Sequence, residues 1–403
     1  MSKSMLSVCG SLLCLFPTSI GQQDSLAGDY LHHAIMGFVK HLGSCSYIGL
    51  CRPTSFRMAL GKLWSLLWIL PLIHGFRVEL HVHLDGAIGS DILFEICRAR
   101  GLQLPGIGVP RSAEEVQHFV ERSSSWHRFD AVNEIIGGDL ASIRLAAEAF
   151  VAFQAKSGVL YTEVRYDPVR LARSQLQNAS TTEEEAVRAV QEGLAVGAAS
   201  HGVSVYQILC AMRGKSPKQC FEMAQLALKL QSKEMGGVVG LDLAGDETDF
   251  PNAAYVDCMR YAKDSGLNTT VHSGEFNTTQ SKDVHSAVFL MRADRVGHGY
   301  AAVQDAQLVH ELRRRQIHLE ACPKSALRHG AWALRAIHSF KEHQLLFGLN
   351  TDDPSLFFCN TSAAADEAIV SDYLNFTVKD IQAAYASAYK ARFGGRDLTQ
   401  LLV

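Results

Sequence analysis

Two histidines separated by one residue, His81 and His83, are the first side chains whose spacing suggests chemistry. They lie in residues 77–86, where polar and apolar residues alternate as in a strand with one covered face. Side chains two apart on a strand point to the same side, so both imidazoles, and Asp85 after them, are predicted to face together. Two imidazoles at a strand end form half of a zinc site. The alternative is an ordinary strand with two hydrogen-bonded histidines.

Four further polar clusters each follow a short apolar segment, at residues 245–247 (GDE), 272–275 (HSGE), 297–299 (GHG) and 350–354 (NTDDP). Taken singly, each fits an ordinary turn, a helix cap or a strand end. A parallel barrel would bring all of them to one rim, at the carboxyl ends of its strands. Three imidazoles and a carboxylate then fit a catalytic metal ion with one position left for water: His81, His83, His272 and Asp352.

Two more side chains in these clusters suit proton transfer beside such an ion. A bound divalent ion lowers the pKa of its water, so that hydroxide becomes available near neutral pH. Glu275, three residues after His272, is left as a proton donor or acceptor, and His298 is placed to orient or deprotonate the water.

Short apolar strands and helices alternate along the chain and predict the elements that would position these residues. The predicted strands are 77–86, 159–166, 203–212, 238–244, 268–272, 295–298, 318–322 and 345–350, each followed by a helical pattern. An irregular stretch is expected after residue 322, before a helix near 331–341. Eight such units predict an α/β fold, an eight-stranded parallel (β/α)8 barrel. A doubly wound open sheet is the alternative, disfavoured because no Gly-rich phosphate loop follows the first strand.

Composition excludes several partner classes. The 403 residues are 47% hydrophobic and 20% charged, with a net charge of -3, so neither nucleic acid nor an anionic membrane surface is indicated. The ten cysteines include no C-x-x-C pair, so neither a disulfide framework nor a thiolate zinc site is expected. A reduced cytoplasmic compartment, no integral membrane span and a monomeric state are therefore predicted.

The chain divides into residues 1–76, an atypical extension, and residues 77–403, the barrel domain. The extension has few charges, short apolar runs and no sustained period. Residues 1–21 resemble a weak secretory signal, which would make the protein secreted or cell-surface. Two alternatives are a genuine but atypical addition to the barrel and an upstream stretch that belongs to an incorrect gene model and is not translated. The abrupt change at Arg77 favours these two alternatives over a signal.

Residues 77–403 resemble the adenosine deaminase family of zinc-dependent barrel enzymes. The segments that carry the resemblance occur in the family's order and span nearly the whole barrel: VELHVHLDG (78–86), LDLAGDE (241–247), HSGE (272–275), RVGHGY (295–300), EACPKS (320–325) and LNTDDP (349–354). The resemblance implies hydrolytic deamination of adenosine and 2′-deoxyadenosine to inosine and 2′-deoxyinosine with release of ammonia, as in purine salvage.

The resemblance also implies a metal centre with one Zn²⁺ per chain. Glu275 would protonate N1 of the purine, which requires a carboxyl that is protonated near neutral pH; burial and neighbouring carboxylates favour this. His298 would help to activate the water. The zinc ligands would be His81, His83, His272 and Asp352.

The same resemblance assigns substrate contacts. Asp353 would hydrogen-bond N7 of the purine, the backbone N–H of Gly245 would meet N3, and Asp85 would bind a ribose hydroxyl. His83 would face the substrate as well as the metal. A polar excursion at residues 102–130 resembles the family's substrate lid and is predicted to carry a gate of three aromatic residues: Phe119, Trp126 and Phe129.

Some residues depart from the family's pattern. Ser273 stands where the family usually has Ala, Lys324 replaces a large apolar residue, and Arg328 and His329 are unusual before residues 330–332. These departures bear on substrate affinity, but no proposed ligand or acid is missing.

Three alternatives to an adenosine-specific enzyme remain. An adenine-specific relative tends to carry Glu at the position of Asp85. A deaminase of AMP or an N6-substituted AMP must accept a phosphate, and the motifs offer no Arg or Lys partner for one. A barrel that binds nucleosides without reacting would not need the complete set of ligands and acid. Zinc deaminases that edit nucleic-acid bases are disfavoured, because no P-C-x-x-C follows any H-x-E.

Overall fold

The computed structural model describes residues 76–124, 126–356 and 362–395. The expectations for residues 1–75, including the possible secretory signal, lie outside the described residues. Within the described part of the chain, every helix is too short or too polar to cross a lipid bilayer.

Eight parallel strands form one sheet whose neighbours follow chain order, which confirms the predicted barrel. Three of the strands have the predicted bounds, and the others differ at their ends by a few residues. The strands are β1 (Arg77–His83), β2 (Val159–Tyr166), β3 (Ser204–Met212), β4 (Val238–Ala244), β5 (Asn268–Ser273), β6 (Arg295–His298), β7 (His318–Ala321) and β8 (Leu346–Leu349).

Residues just after β8 close the ring against β1. Asp352 forms a parallel bridge with Val82. The N–H of His83 donates to the carbonyl of Asp352 at 2.9 Å, and the N–H of Asp352 donates to the carbonyl of His81 at 3.1 Å. The side-chain oxygen of Asn350 accepts from the backbone of Leu80 at 2.7 Å. The closing contacts therefore set Asp352 beside both histidines of β1.

Helices surround the strands, and several begin at polar capping residues. Thr182, for example, forms a capping box with Glu185. The α-helices are α1 (Leu84–Ala87), α2 (Ser90–Arg100), α3 (Ala113–Glu121), α4 (His127–Ile136), α5 (Leu140–Lys156), α6 (Pro168–Leu171), α7 (Glu183–His201), α8 (Pro217–Leu230), α9 (Val256–Asp264), α10 (Ser281–His285), α11 (Ala306–Arg315), α12 (Pro323–His329), α13 (Ala331–Glu342), α14 (Ala363–Leu374) and α15 (Val378–Ala391).

Helix α12 corrects the irregular stretch that was expected after residue 322. Pro323 stands in its first turn, where the missing N–H costs no helical hydrogen bond. The helix ends at His329 and is followed by Gly330, which has φ +101°. This short helix places Ser325, Arg328 and His329 at the same end of the barrel as the polar clusters.

The structure also corrects the expectation of no disulfide. Cys220 on α8 and Cys258 on α9 are joined, although 38 residues separate them. No short cysteine motif announces this pair, because the folding of two outer helices brings the sulfurs together. Among the described cysteines, Cys97, Cys210 and Cys322 are buried thiols.

Charged side chains fill much of the barrel interior below the predicted rim. Arg165 of β2 pairs with Asp242 at 3.0 Å and with Glu320 at 2.8 Å. Arg295 of β6 pairs with Glu163 at 2.7 Å and with Glu320 at 2.6 Å. Buried charges need such partners, so these pairs fix the strands relative to one another directly beneath the site.

Candidate active site

A cleft opens at the carboxyl ends of the strands. The structure brings most of the predicted site residues to its wall: His83, Asp85, Gly245, His272, Glu275, His298, Asp352 and Asp353. His81 lies just beneath them and is fully buried.

The four predicted metal ligands converge at the floor of this cleft. The Nε2 atoms of His83 and His272 are 3.2 Å apart. Oδ1 of Asp352 is 3.3 Å from Nε2 of His81 and 3.5 Å from Nε2 of His83. Donors that share one zinc ion at about 2.0–2.2 Å stand roughly 3–4 Å apart. The donor types and these three distances therefore fit a zinc ion.

A further observation supports this fit. Nε2 of His81 is completely buried and has no hydrogen-bond partner among the described residues. Buried polar atoms rarely remain without a partner. A metal ion among the four donors would satisfy this nitrogen.

Two carboxylates hold the imidazoles from behind, and neither of them had a role predicted from sequence. Glu320 lies 2.8 Å from Nδ1 of His81. Asp242 lies 2.9 Å from Nδ1 of His272. Carboxylates on the far nitrogen fix a ligating imidazole's orientation and tautomer and raise its basicity. Both belong to the family-like motifs. Apart from that, the sequence marks them only as charged residues inside predicted buried strands.

Buried arginines keep these two carboxylates ionised. Burial alone would raise the pKa of Glu320, but the guanidinium groups of Arg165 and Arg295 outweigh it and hold that pKa well below its ordinary value. Burial likewise opposes ionisation of Asp242, but His272 and Arg165 lower its pKa. Both carboxylates therefore accept from the imidazoles throughout the neutral range.

Unusual backbone conformations occur at two predicted site residues. His298 has φ +62° and Asp352 has φ +63°, a region that residues other than glycine enter rarely. Each directly follows or ends a barrel strand, where the conformation turns the side chain toward the cleft. Residue 86 must be glycine for a steric reason, because a Cβ there would lie 2.0 Å from Oδ1 of Asp353.

Glu275, the predicted acid, is flanked by two histidines. Its Oε1 lies 3.0 Å from Nε2 of His329 and 3.7 Å from Nε2 of His298. Burial would raise the pKa of Glu275, but these two imidazoles outweigh it and lower the pKa to about 2. This is opposite to the expected direction, because the neighbouring histidines were not included in that expectation.

The histidines themselves shift in opposite directions. Burial lowers the pKa of His298 to about 3, leaving a neutral ring that can accept a proton. Burial also opposes the charge on His329, but Glu275 outweighs it and raises the pKa of that imidazole. Glu275 therefore lies between an imidazole whose pKa is raised, His329, and one whose pKa is lowered, His298.

Glu247 fixes the backbone on which Glu275 is mounted. Its carboxylate accepts from the N–H of Gly274 at 2.9 Å and from the N–H of Glu275 at 2.6 Å. Burial raises the pKa of Glu247 to about 7. In the sequence this residue belongs to a polar strand end, and the pattern there predicts no role for it.

Two acids predicted to contact substrate, Asp85 and Asp353, also line the cleft. Oδ1 of Asp353 is buried and has no hydrogen-bond partner among the described residues. Burial, followed by the charges of Asp352 and Asp85, raises the pKa of Asp353 well above its ordinary value. A protonated carboxyl can donate a hydrogen bond to a ring nitrogen. Asp85 belongs to α1, because β1 ends at His83, and it accepts from Asn133 at 2.7 Å.

The predicted aromatic gate is present only in part. Trp126 and Phe129 line the cleft, and their rings are stacked with centroids 6.1 Å apart. Phe119 packs against the hydrophobic core instead. It faces inward because α3 is amphipathic and buries Val116 and Val120 nearby.

Two arginines from outside the family-like motifs also line the cleft, Arg170 and Arg328. The motifs alone therefore gave an incomplete picture of its charge. Arg170 lies 3.5 Å from Asp130 and 3.7 Å from Asp167, so part of its charge is already balanced.

Residues 77–402 match the family model described as adenosine deaminase. A chicken (Gallus gallus) adenosine deaminase is 33% identical over 330 residues, covering 79% of this chain and 90% of the relative. A bovine (Bos taurus) adenosine deaminase is 34% identical over 344 residues, covering 80% of this chain and 91% of the relative.

A solved structure shares the fold at lower identity. An amidohydrolase from Burkholderia ambifaria, crystallised with bound Zn, superposes with a TM-score of 0.69 and 22% identity, covering 81% of this chain and 88% of that one. The likeness extends over the whole barrel.

Proposed function

Because the chain belongs to the adenosine deaminase family and is a hydrolase, we propose that it deaminates adenosine and 2′-deoxyadenosine. The products are inosine and 2′-deoxyinosine, with release of ammonia, in purine salvage. The observation that carries the proposal is the convergence of four metal-donor side chains from β1, β5 and the end of β8, beside Glu275 and His298.

We propose Zn²⁺, one per chain, as the cofactor. The residues that would hold it are His81, His83, His272 and Asp352, whose nitrogen and oxygen donors suit Zn²⁺. The Zn in the Burkholderia amidohydrolase supports this choice. When bound, such an ion lowers the pKa of its water and so supplies a nucleophile near neutral pH.

The chain's own residues then bind the base and move protons. Neutral His298 accepts a proton from the attacking water, and Glu275 delivers one to N1, which makes C6 more electrophilic. Protonated Asp353 donates to N7, the N–H of Gly245 contacts N3, and Asp85 binds a ribose hydroxyl.

The direct test measures ammonia release from adenosine by the purified full chain and its Glu275→Gln variant. We expect kcat to fall at least about 10²-fold in the variant, because general acid catalysis is lost. Zinc content should remain unchanged, since Glu275 is outside the proposed ligand set. Glu342→Gln, which alters a surface carboxylate 3.6 Å from His338, is the matched control and should retain wild-type activity. A fully active Glu275→Gln enzyme would remove the assigned acid.

A second candidate is a deaminase of nucleoside monophosphates, favoured by the guanidinium groups of Arg170 and Arg328 in the cleft. Against it, Asp85 and Asp167 line the same cleft and would repel a phosphate. We expect kcat/KM to be much higher for adenosine than for AMP or adenine. Equal turnover of AMP would overturn the nucleoside assignment, and a zinc-loaded chain that releases no ammonia from any of them would indicate a binding protein.

For location and assembly we propose a cytoplasmic monomer that binds no nucleic acid. The buried thiols Cys97, Cys210 and Cys322 support a reducing compartment. The Cys220–Cys258 disulfide supports the alternative, a secreted or cell-surface enzyme, because disulfides persist in oxidising environments. Alkylation of the endogenous protein before reduction distinguishes the two locations. Cys220 and Cys258 that resist alkylation are joined in a disulfide, which would favour secretion. Size-exclusion chromatography tests the monomer.

A further inference from the structure

His329, the last residue of α12, is a second titratable group in contact with the proposed acid. Its Nε2 lies 3.0 Å from Oε1 of Glu275, whereas Nε2 of His298 lies 3.7 Å from the same oxygen. Its backbone carbonyl accepts from the indole N–H of Trp332 at 2.9 Å. Its ring packs edge-on against Phe276 with centroids 5.1 Å apart. These contacts fix the imidazole in an orientation that faces Glu275.

The charges around this pair favour a proton on it. Glu275 stabilises a cation at His329 from 3.0 Å, while Arg328 on the same helix opposes one. The C-terminal end of a helix also favours positive charge. The side chain of His329 is 16% exposed, so its outer edge reaches solvent, whereas that of Glu275 is 11% exposed.

We propose that His329 is a positioning residue that stores the proton of Glu275 and regulates its delivery to the substrate. The proposal rests on the deaminase function proposed above and deepens it, because a carboxylate that has lost its proton cannot protonate N1. The pair carries one shared proton, held by the imidazole at rest and by the carboxyl when the substrate is bound.

The proton count closes over one turnover. Nε2 of His329 passes its proton to Oε1 of Glu275, and Glu275 passes a proton to N1, where the product keeps it. One proton of the attacking water goes by way of His298 to the leaving amino group, which departs as ammonia. The other is lost from the new C6 hydroxyl as that group becomes the carbonyl, and it returns to the pair. The pair thus ends as it began.

The sign of the pH dependence follows from this scheme. The pair keeps its proton below the pKa of His329, which lies above the ordinary histidine value, and loses it as pH rises through that pKa. Activity should therefore decline on the alkaline side at the pKa of His329. Without His329, Glu275 must hold the proton itself, and a carboxyl gives it up at a lower pH.

The experiment compares His329→Gln with wild type and with His338→Gln, a matched change in a histidine 3.6 Å from Glu342 on the surface. We expect kcat at pH 7.5 to fall about tenfold or more and the alkaline limb of the kcat profile to move down by about one pH unit or more. KM for adenosine and zinc content should stay near wild type, and His338→Gln should change nothing. A His329→Gln profile that overlays wild type would overturn the proposal.

A second measurement does not depend on turnover. Histidine NMR titration of the full chain should show the pKa of His329 falling by about one unit or more in Glu275→Gln, because its charged partner is gone. An unchanged pKa would overturn the pairing. If the shift is seen while wild type releases no ammonia from adenosine, the deaminase assignment fails and the His329–Glu275 pair stands.

Discussion

Replacing Glu320 with Gln should separate the structural and metal-binding roles of the barrel interior. One carboxylate oxygen of Glu320 lies 2.8 Å from both Arg165 and His81. The other oxygen accepts from Arg295 at 2.6 Å and from Thr270 at 3.0 Å. Gln keeps the shape of the side chain but turns one acceptor into a donor, so at least two of these donors lose their partner.

The magnitude follows from these contacts. Removing one partner of a buried, hydrogen-bonded charge pair costs about 3–5 kcal/mol, because the remaining charge stays buried. Domains of about 150–250 residues lose about 2–4 °C in Tm per kcal/mol, and larger ones lose less, so we expect a drop of roughly 5–15 °C. Loss of the carboxylate behind His81 should also weaken zinc binding by about 10–100-fold.

Differential scanning calorimetry and zinc competition with a chelator measure the two effects. Glu163→Gln is the matched control, because Glu163 pairs with Arg295 at 2.7 Å and with Tyr161 at 2.6 Å rather than with a candidate ligand. It should lower Tm to a similar extent and leave zinc affinity unchanged. The reasoning would be refuted if Glu320→Gln kept the wild-type Tm, or if both variants lost zinc affinity equally.

Three further predictions concern single contacts. Asp242→Asn should weaken zinc binding by about 10–100-fold, measured by chelator competition, because Asp242 holds a candidate ligand from 2.9 Å. Gly86→Ala should raise KM for adenosine about tenfold, measured by initial rates, because the added Cβ would stand 2.0 Å from Oδ1 of Asp353 and displace it. Dithiothreitol should lower the Tm of wild type, because a cross-link across 38 residues stabilises the fold by about 3–4 kcal/mol. The Tm of a Cys220→Ser, Cys258→Ser double variant should not respond to it. Equal shifts in both proteins would show that the bond does not form in solution.

The fold could be predicted almost entirely from sequence because its signals are local. Hydrophobic runs and caps set each strand and helix, and the eightfold alternation leaves few ways to close a parallel sheet. Helix α12 was missed because residues 323–329 have little helical periodicity, and Pro323 reads as a break as readily as a start. The disulfide was missed because only the packing of two outer helices brings its sulfurs together.

Only the part of the candidate site that lies within short sequence motifs could be predicted. The four predicted metal ligands lie close together, because each stands at or just after the carboxyl end of a strand and these ends share one rim. The residues around them are different. Asp242 and Glu320 lie inside strands, where sequence shows a charge but not its partner. His329 meets Glu275 through a helix that was not expected, so the protonation of the acid was predicted in the wrong direction.

Barrel closure and metal binding depend on the same short segments. Asp352 bridges to β1 through its backbone while its carboxylate faces the histidines of that strand. Glu320 joins one of those histidines to both buried arginines, so its charge serves the core and the site together. An apolar interior would bury the same area without the desolvation cost, but it could not orient imidazoles by their far nitrogens. The polar interior of this barrel is therefore better explained by the demands of the proposed metal centre than by stability.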